Sequence, residues 1–197
     1  MTEEHPQHGE SPEAVFETAK LGLWTFLATE ILLFGGLFTS YIVYRLRYPD
    51  LFHAQYQYLN RTLGLVNTVI LITSSLTMAL AIAAIRRGRQ WVSRLCLVLT
   101  IMFALGFLGV KYVEWTEDFS RGLYPGTNMF FSLYFMMTGL HGLHVVAGIC
   151  VLSAVLVMSC RGRFSEQYAT PVEISGLYWH FVDLVWIYLF PLLYLVG

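Results

Sequence analysis

MFFSLYFMMTGLHGLHVVAGICVLSAVLVM, residues 129–158, contains no aspartate, glutamate, lysine or arginine. Hydrocarbon about 30 Å thick takes about 20 apolar residues per helix. At about 1.5 Å per residue this stretch reaches about 45 Å, so it crosses a bilayer with length to spare and must tilt or protrude. Four further blocks share its character: Leu21–Tyr44, Leu63–Ile85, Trp91–Tyr112 and Ile174–Val196. Lipid gives backbone N–H and C=O groups no partner, so unbroken apolar runs are helices. A membrane barrel would instead show short alternating segments. The expected fold is an all-α membrane protein, a bundle of five transmembrane helices over 19–197 behind an acidic tail over 1–18.

Composition agrees. Of 197 residues 56% are hydrophobic and 13% charged, where soluble domains carry about 25% charged residues. The net charge of −1 and the absence of a basic stripe argue against nucleic acid as a partner. Cys96, Cys150 and Cys160 share no metal-ligand or redox spacing, and a thiol in a helix behaves as a small hydrophobe. The first residues hold five glutamates, at 3, 4, 10, 13 and 17, where a secretory signal would hold lysine or arginine. The first helix is therefore expected to stay in the mature protein. His5 and His8 lie in this tail and read as solvated.

Cations near helix ends set the orientation. Lys20, Arg86, Arg87, Arg89, Arg94, Arg161 and Arg163 fall on the side of the tail, and Arg45, Arg47, Arg61, Lys111 and Arg121 on the other. The larger group, with its dense RRGR cluster at 86–89, places the N-terminus in the cytoplasm and the C-terminus outside. The stretch EWTEDFSRGLYPGTN, from Glu114 to Asn128, reads as the third loop, with Pro125-Gly126 as a turn signal. Trp24, Trp91 and Trp115 near helix ends read as interfacial anchors.

Ionisable groups inside a membrane cost several kcal/mol each and face the bundle interior. Five stand out: Glu30, His141, His144, His180 and Asp183. His141 and His144 stand i, i+3, as do His180 and Asp183, so each pair shares a helix face. Four of the five reach similar depth and could meet near the midplane. Such a group could be a set of hydrogen bonds between helices, each about 0.6 kcal/mol on average, or a protonatable site. A metal centre is disfavoured, because no Glu-x-x-His motif occurs on paired helices. Gly35-Gly36, Gly106 with Gly109, and Gly139 with Gly142 are expected at close helix crossings.

GLYWHFVDLVWIYLFPLLYLVG at 176–197 resembles the last helix of subunit III of the haem–copper respiratory oxidases, on the run Trp179-His180-Phe181-Val182-Asp183 followed by Trp186. TGLHGLHVVAG at 138–148 is similar to the helix preceding it, and the segment from Glu114 through Thr127 is similar too. Glu30, in ATEILLFGGLF, matches the family's intramembrane carboxylate. The likeness covers all but the tail. Mitochondrial-type members have seven helices, and this chain looks like the shorter bacterial form without the first two, which in the longer form help make a cleft for phospholipid.

The resemblance implies an accessory subunit of a proton-pumping terminal oxidase in the bacterial plasma membrane, serving aerobic respiration, with cytochrome c or quinol as the donor of the complex. It implies no catalytic residue, no cofactor and no metal on this chain, with haem and copper in partner subunits. Implied partners are subunit I above all, subunit II, a small subunit IV and phospholipids. The matching positions Glu30, His141, His144, His180 and Asp183 would organise the bundle or buffer protons. Two alternatives stand beside this reading: an accessory protein of a nitric oxide reductase system, and a stand-alone proton channel or transporter. Against the second, the spans are odd in number, without repeats or matched interrupted helices.

Overall fold

The computed structural model describes residues 12–164 and 169–196, and their regular structure is entirely helical. Helix α1 runs Pro12–Arg47, α2 Pro49–Gln55, α3 Arg61–Arg86, α4 Gln90–Ser120, α5 Met129–Cys160 and α6 Thr170–Phe190. Five of these, all but the short α2, are long and apolar enough to cross a membrane. Residues 1–11, with His5 and His8, lie outside the described residues, and the chain is helical from Pro12, inside the stretch read as tail.

Local chemistry fixes the ends. The Asn60 side chain accepts from Thr62 N–H at 3.1 Å and Leu63 N–H at 3.2 Å to start α3, and Asn128 Oδ1 accepts from Phe131 N–H at 2.9 Å to start α5. Three helices stop on the same dipeptide: Arg87-Gly88, Arg121-Gly122 and Arg161-Gly162, whose glycines have φ of 69°, 76° and 70°. That left-handed conformation suits glycine, and it lets the next N–H turn back onto a free carbonyl. Arg89 N–H reaches Ala84 O at 2.9 Å, Leu123 N–H reaches Asp118 O at 3.0 Å and Arg163 N–H reaches Met158 O at 3.2 Å. At the end of α6, Pro191 has no N–H to give. The helix continues as one wide turn, Pro191–Leu195, with Val196 N–H on Pro191 O at 3.0 Å. This turn puts Leu193 and Tyr194 inside, both 0% exposed.

Residues Arg87–Arg89 alone link α3 to α4, so these two pack as an antiparallel hairpin along their length. Helix α6 lies against α3 and α5, α4 against α5, and α1 against α5 and α6. The most enclosed span is α6 and the least enclosed is α1. Two indoles fasten α6 to α3: Trp179 Nε1 donates to Ser74 Oγ at 2.9 Å, and Trp186 Nε1 to Thr68 Oγ1 at 3.1 Å.

Two sequence expectations are revised. The third span was expected to end at Tyr112, but α4 continues to Ser120. Lys111, Glu114 and Asp118 stand i, i+3, i+7, on one helix face, and all three are buried. Their charges therefore turn inward and do not end the helix. The glycines expected at close crossings are also different ones. A Cβ at Gly35, Gly36, Gly106, Gly109 or Gly142 would meet nothing within 4 Å, and one at Gly139 would only touch Trp115 at 3.4 Å. The tight positions are Gly64, Gly148 and Gly176, where a Cβ would come within 2.9 Å of Phe190, 2.6 Å of Trp179 and 2.5 Å of Ile82.

Gly148→Ala drives a methyl into the ring of Trp179, which is 0% exposed and cannot retreat. It should cost about 1–3 kcal/mol by overpacking, whereas Gly106→Ala should be close to neutral. Unfolding of the purified protein in mixed detergent micelles measures both.

Candidate functional site

The largest concentration of buried charge is one the sequence reading assigned to a helix end and a loop. Lys111 Nζ donates to Glu114 Oε2 at 2.9 Å, to Tyr194 OH at 2.7 Å and to Tyr134 OH at 3.2 Å. An ammonium has three donors, and all three are used. Glu114 Oε1 accepts from Tyr194 OH at 2.6 Å and from Tyr134 OH at 3.1 Å. The ammonium also stands 5.2 Å from the Trp186 ring centroid, within cation–π reach. Lys111 and Glu114 are 5% and 1% exposed, so α4, α5 and the wide turn after α6 meet on a saturated ion pair. Asp118, one turn further along α4, is buried with Oδ2 unbonded. Lys111, Glu114 and Asp118 could have been found from their spacing, which carries the inward face of the helix past its apolar run.

The five residues singled out from sequence are distributed among three places. Glu30 of α1 and His144 of α5 face each other, Oε2 to Nε2, at 2.9 Å. His144 Nδ1 lies 2.8 Å from Leu140 O and must carry a proton there. Nε2 and Oε2 lie within ion-pair distance, although Oε2 has no hydrogen-bond partner. Phe34 packs edge-on against the imidazole at 5.4 Å, and each partner's side chain is 12% exposed.

His141, one turn earlier on α5, is turned elsewhere. It is 0% exposed, stands edge-to-face with Phe107 at 5.5 Å and lies over Trp186 at 5.3 Å, and neither ring nitrogen is hydrogen-bonded. Three residues advance a helix by about 300°, so His141 and His144 diverge by enough for one to face α4 and α6 and the other α1. His180 Nδ1 meets Ser75 Oγ of α3 at 2.7 Å. Asp183, on the same face of α6, is 3% exposed with both oxygens unbonded. Glu30 and His144 are thus brought together, His180 and Asp183 share one groove, and no single midplane cluster of four forms. Trp179 and Trp186 serve as the indole links to α3.

Among the described residues, no group of three or more His, Cys, Asp or Glu side chains could hold a metal ion. The bundle therefore defines a class: a polytopic membrane protein whose buried acids, bases and phenols are arranged in pairs and networks between helices.

The family profile of cytochrome c oxidase subunit III matches residues 1–197. The chain is 33% identical to the quinol oxidase subunit 3 of Bacillus subtilis over 98% of both chains, and equally to that of Bacillus spizizenii over the same shares. It is 32% identical to a haem–copper oxidase subunit I+III of Aeropyrum pernix, matching over 100% of this chain and 25% of that one. The chain belongs to the cytochrome c oxidase subunit III family. As such it is an accessory subunit III of a haem–copper oxidase, and its five spans make it a multi-pass protein of the bacterial plasma membrane.

Removing one partner of a buried ion pair strands the other in a low dielectric, at about 3–5 kcal/mol. Lys111→Met should lose that much stability in detergent unfolding. The Arg86–Glu173 contact, 2.7 Å but with the arginine side chain 63% exposed, should lose under about 1 kcal/mol on Arg86→Ala.

Proposed function

We propose that this subunit binds subunit I of its oxidase, holds lipid at its flanks and keeps a proton in reserve beside the proton-uptake path, with no redox chemistry of its own. The observation that carries the reading is the Glu30–His144 pair. It joins an acid of the outermost span to a base of the bundle, and its partners are partly open rather than sealed. An acid and a base held this close can take up or hand on a proton with little rearrangement. The Lys111 network, by contrast, is saturated by its phenols and reads as structural.

Subunit I as partner is supported by the relative from Aeropyrum pernix, whose name joins subunits I and III in one chain. Haem and copper belong to the partner subunits in this reading, and subunit II and a small subunit IV complete the complex. The apolar groove between α1 and α6, formed by Phe34, Gly35, Phe38, Phe181 and Tyr188 among others, fits an acyl chain. A cytoplasmic N-terminus is supported by the surface cations, because Lys111, counted outside on sequence grounds, is buried in its ion pair. Only Arg45, Arg47, Arg61 and Arg121 then remain to set against the seven cations on the other side.

Mild-detergent purification through a tag on this chain should bring down subunit I with a haem spectrum. A haem-free, partner-free chain would overturn the proposal. In the same preparation Glu30→Gln should leave haem content unchanged and oxygen reduction within about two-fold, while lowering protons taken up per electron. Abolished oxygen reduction in a fully assembled complex would place the chemistry on this chain and contradict an accessory role.

A further inference from the structure

Two of the three Arg-Gly helix ends run on into a second arginine. Arg87-Gly88-Arg89 closes α3 and Arg161-Gly162-Arg163 closes α5, with glycine φ of 69° and 70°. In each turn the second arginine bonds back to its helix, Arg89 N–H to Ala84 O and Arg163 N–H to Met158 O. The two turns are tied together. Gln90 Nε2 donates to Phe164 O at 3.1 Å, and Arg94 donates to Gln90 Oε1 at 3.1 Å and to Ser159 Oγ at 3.4 Å. Arg89 and Arg163 each stand one residue from the Gln90–Phe164 bond, so two identical tripeptides of fixed backbone sit side by side at one end of the bundle.

All four arginines are exposed. Among the described residues none of their guanidiniums has an ion pair or side-chain hydrogen bond, and Glu173, at the same end, is committed to Arg86 at 2.7 Å. Arginine suits a helix C-terminus, but that end amounts to only about half a negative charge. Each turn here carries two full positive ones. The surplus calls for an anion, and the fork of a guanidinium matches phosphate.

An apolar track leads away from this patch. Trp91, Leu95, Val98 and Met102 stand i, i+4, i+7, i+11 on one face of α4, beginning two residues after Arg89, and are 72%, 44%, 41% and 61% exposed. The track is about 16 Å long, the hydrocarbon depth of one leaflet at about 15 Å, and its tryptophan lies at the interfacial end. A free anion or an acidic protein loop would use the arginines and leave the track idle. A phospholipid uses both.

We infer that the paired Arg-Gly-Arg turns bind the phosphate of an anionic phospholipid whose acyl chain lies along Trp91–Met102. This rests on the reading above that the subunit holds lipid, and it names the headgroup class and the place. Zwitterionic lipids, whose own cation meets the surplus arginines, are held less well. The α1–α6 groove, lined by apolar side chains, takes an acyl chain without regard to headgroup.

The test uses the intact oxidase complex in phosphatidylcholine vesicles, with trace phosphatidylglycerol or phosphatidylcholine carrying the same diazirine in one acyl chain. After illumination, labelling of residues 91–102 by the phosphatidylglycerol probe should exceed that by the phosphatidylcholine probe by about five-fold or more. The excess should shrink as salt is raised. Arg161→Gln with Arg163→Gln, which leaves the arginines at 86–89 to hold the orientation, should bring the two probes level there and leave labelling at Phe38 unchanged. Equal labelling by both headgroups, or a preference the double variant keeps, would overturn the inference. So would displacement of the probe by inorganic phosphate, which marks a free-anion site, or labelling only after the complex is dissociated, which marks a protein partner. The headgroup preference of the unsubstituted complex and its salt dependence decide the matter even where the variant does not assemble. If neither probe labels the chain anywhere, the lipid reading falls; if both label α4 and the α1–α6 groove alike, the arginine site falls alone.

Discussion

A charge taken out of water has to find its counter-charge inside the protein, and in a membrane no solvent stands ready to correct a poor arrangement. The Lys111–Glu114 pair meets this condition with side chains from three places in the chain. Its two phenols come from α5 and from the wide turn after α6. Tyr194 reaches it because Pro191 breaks the regular bonding and the last turn widens. The position of α4 relative to α5 and α6 at this end of the bundle follows from satisfying one ammonium and one carboxylate at once. Apolar packing against lipid could not set that register, since lipid and a neighbouring helix are equally good solvents for leucine.

Elsewhere the same economy of polar contacts recurs in weaker form. Ser74 and Thr68 of α3 receive the two indoles of α6, spaced so that both links form on one face. Thr77 and Thr100 meet at 2.8 Å between α3 and α4. Around these contacts, Gly148 and Gly176 let Trp179, Met78 and Ile82 approach the backbone. Each polar contact fixes a rotation that the apolar surface alone would leave free.

The five spans were legible because their apolar runs exceed what any soluble core needs, and the family was legible in Trp179 to Trp186 and in the paired histidines of α5. The main polar network was not. Lys111, Glu114 and Asp118 sit where an apolar window ends, and a linear reading takes charges there for a loop. Only their i, i+3, i+7 spacing reports that they share an inward face. The surroundings of Glu30, His141 and His180 were hidden for a different reason. Which neighbour a buried side chain meets depends on helix rotation, and a rotation of about 60° separates His144, which faces α1, from His141, which faces α4 and α6. The glycines failed in the same way: a small residue on a membrane helix looks alike whether it meets an indole or an acyl chain.

The Glu30–His144 contact has a consequence for how the chain is made. Helix α1 is translated before α5, and its carboxyl enters the insertion machinery while the imidazole that will face it is still untranslated, three spans further on. Until α5 arrives, α1 has little apolar interface of its own and a polar group it cannot satisfy. Its final docking follows the synthesis of α5 and α6, the two helices it packs against.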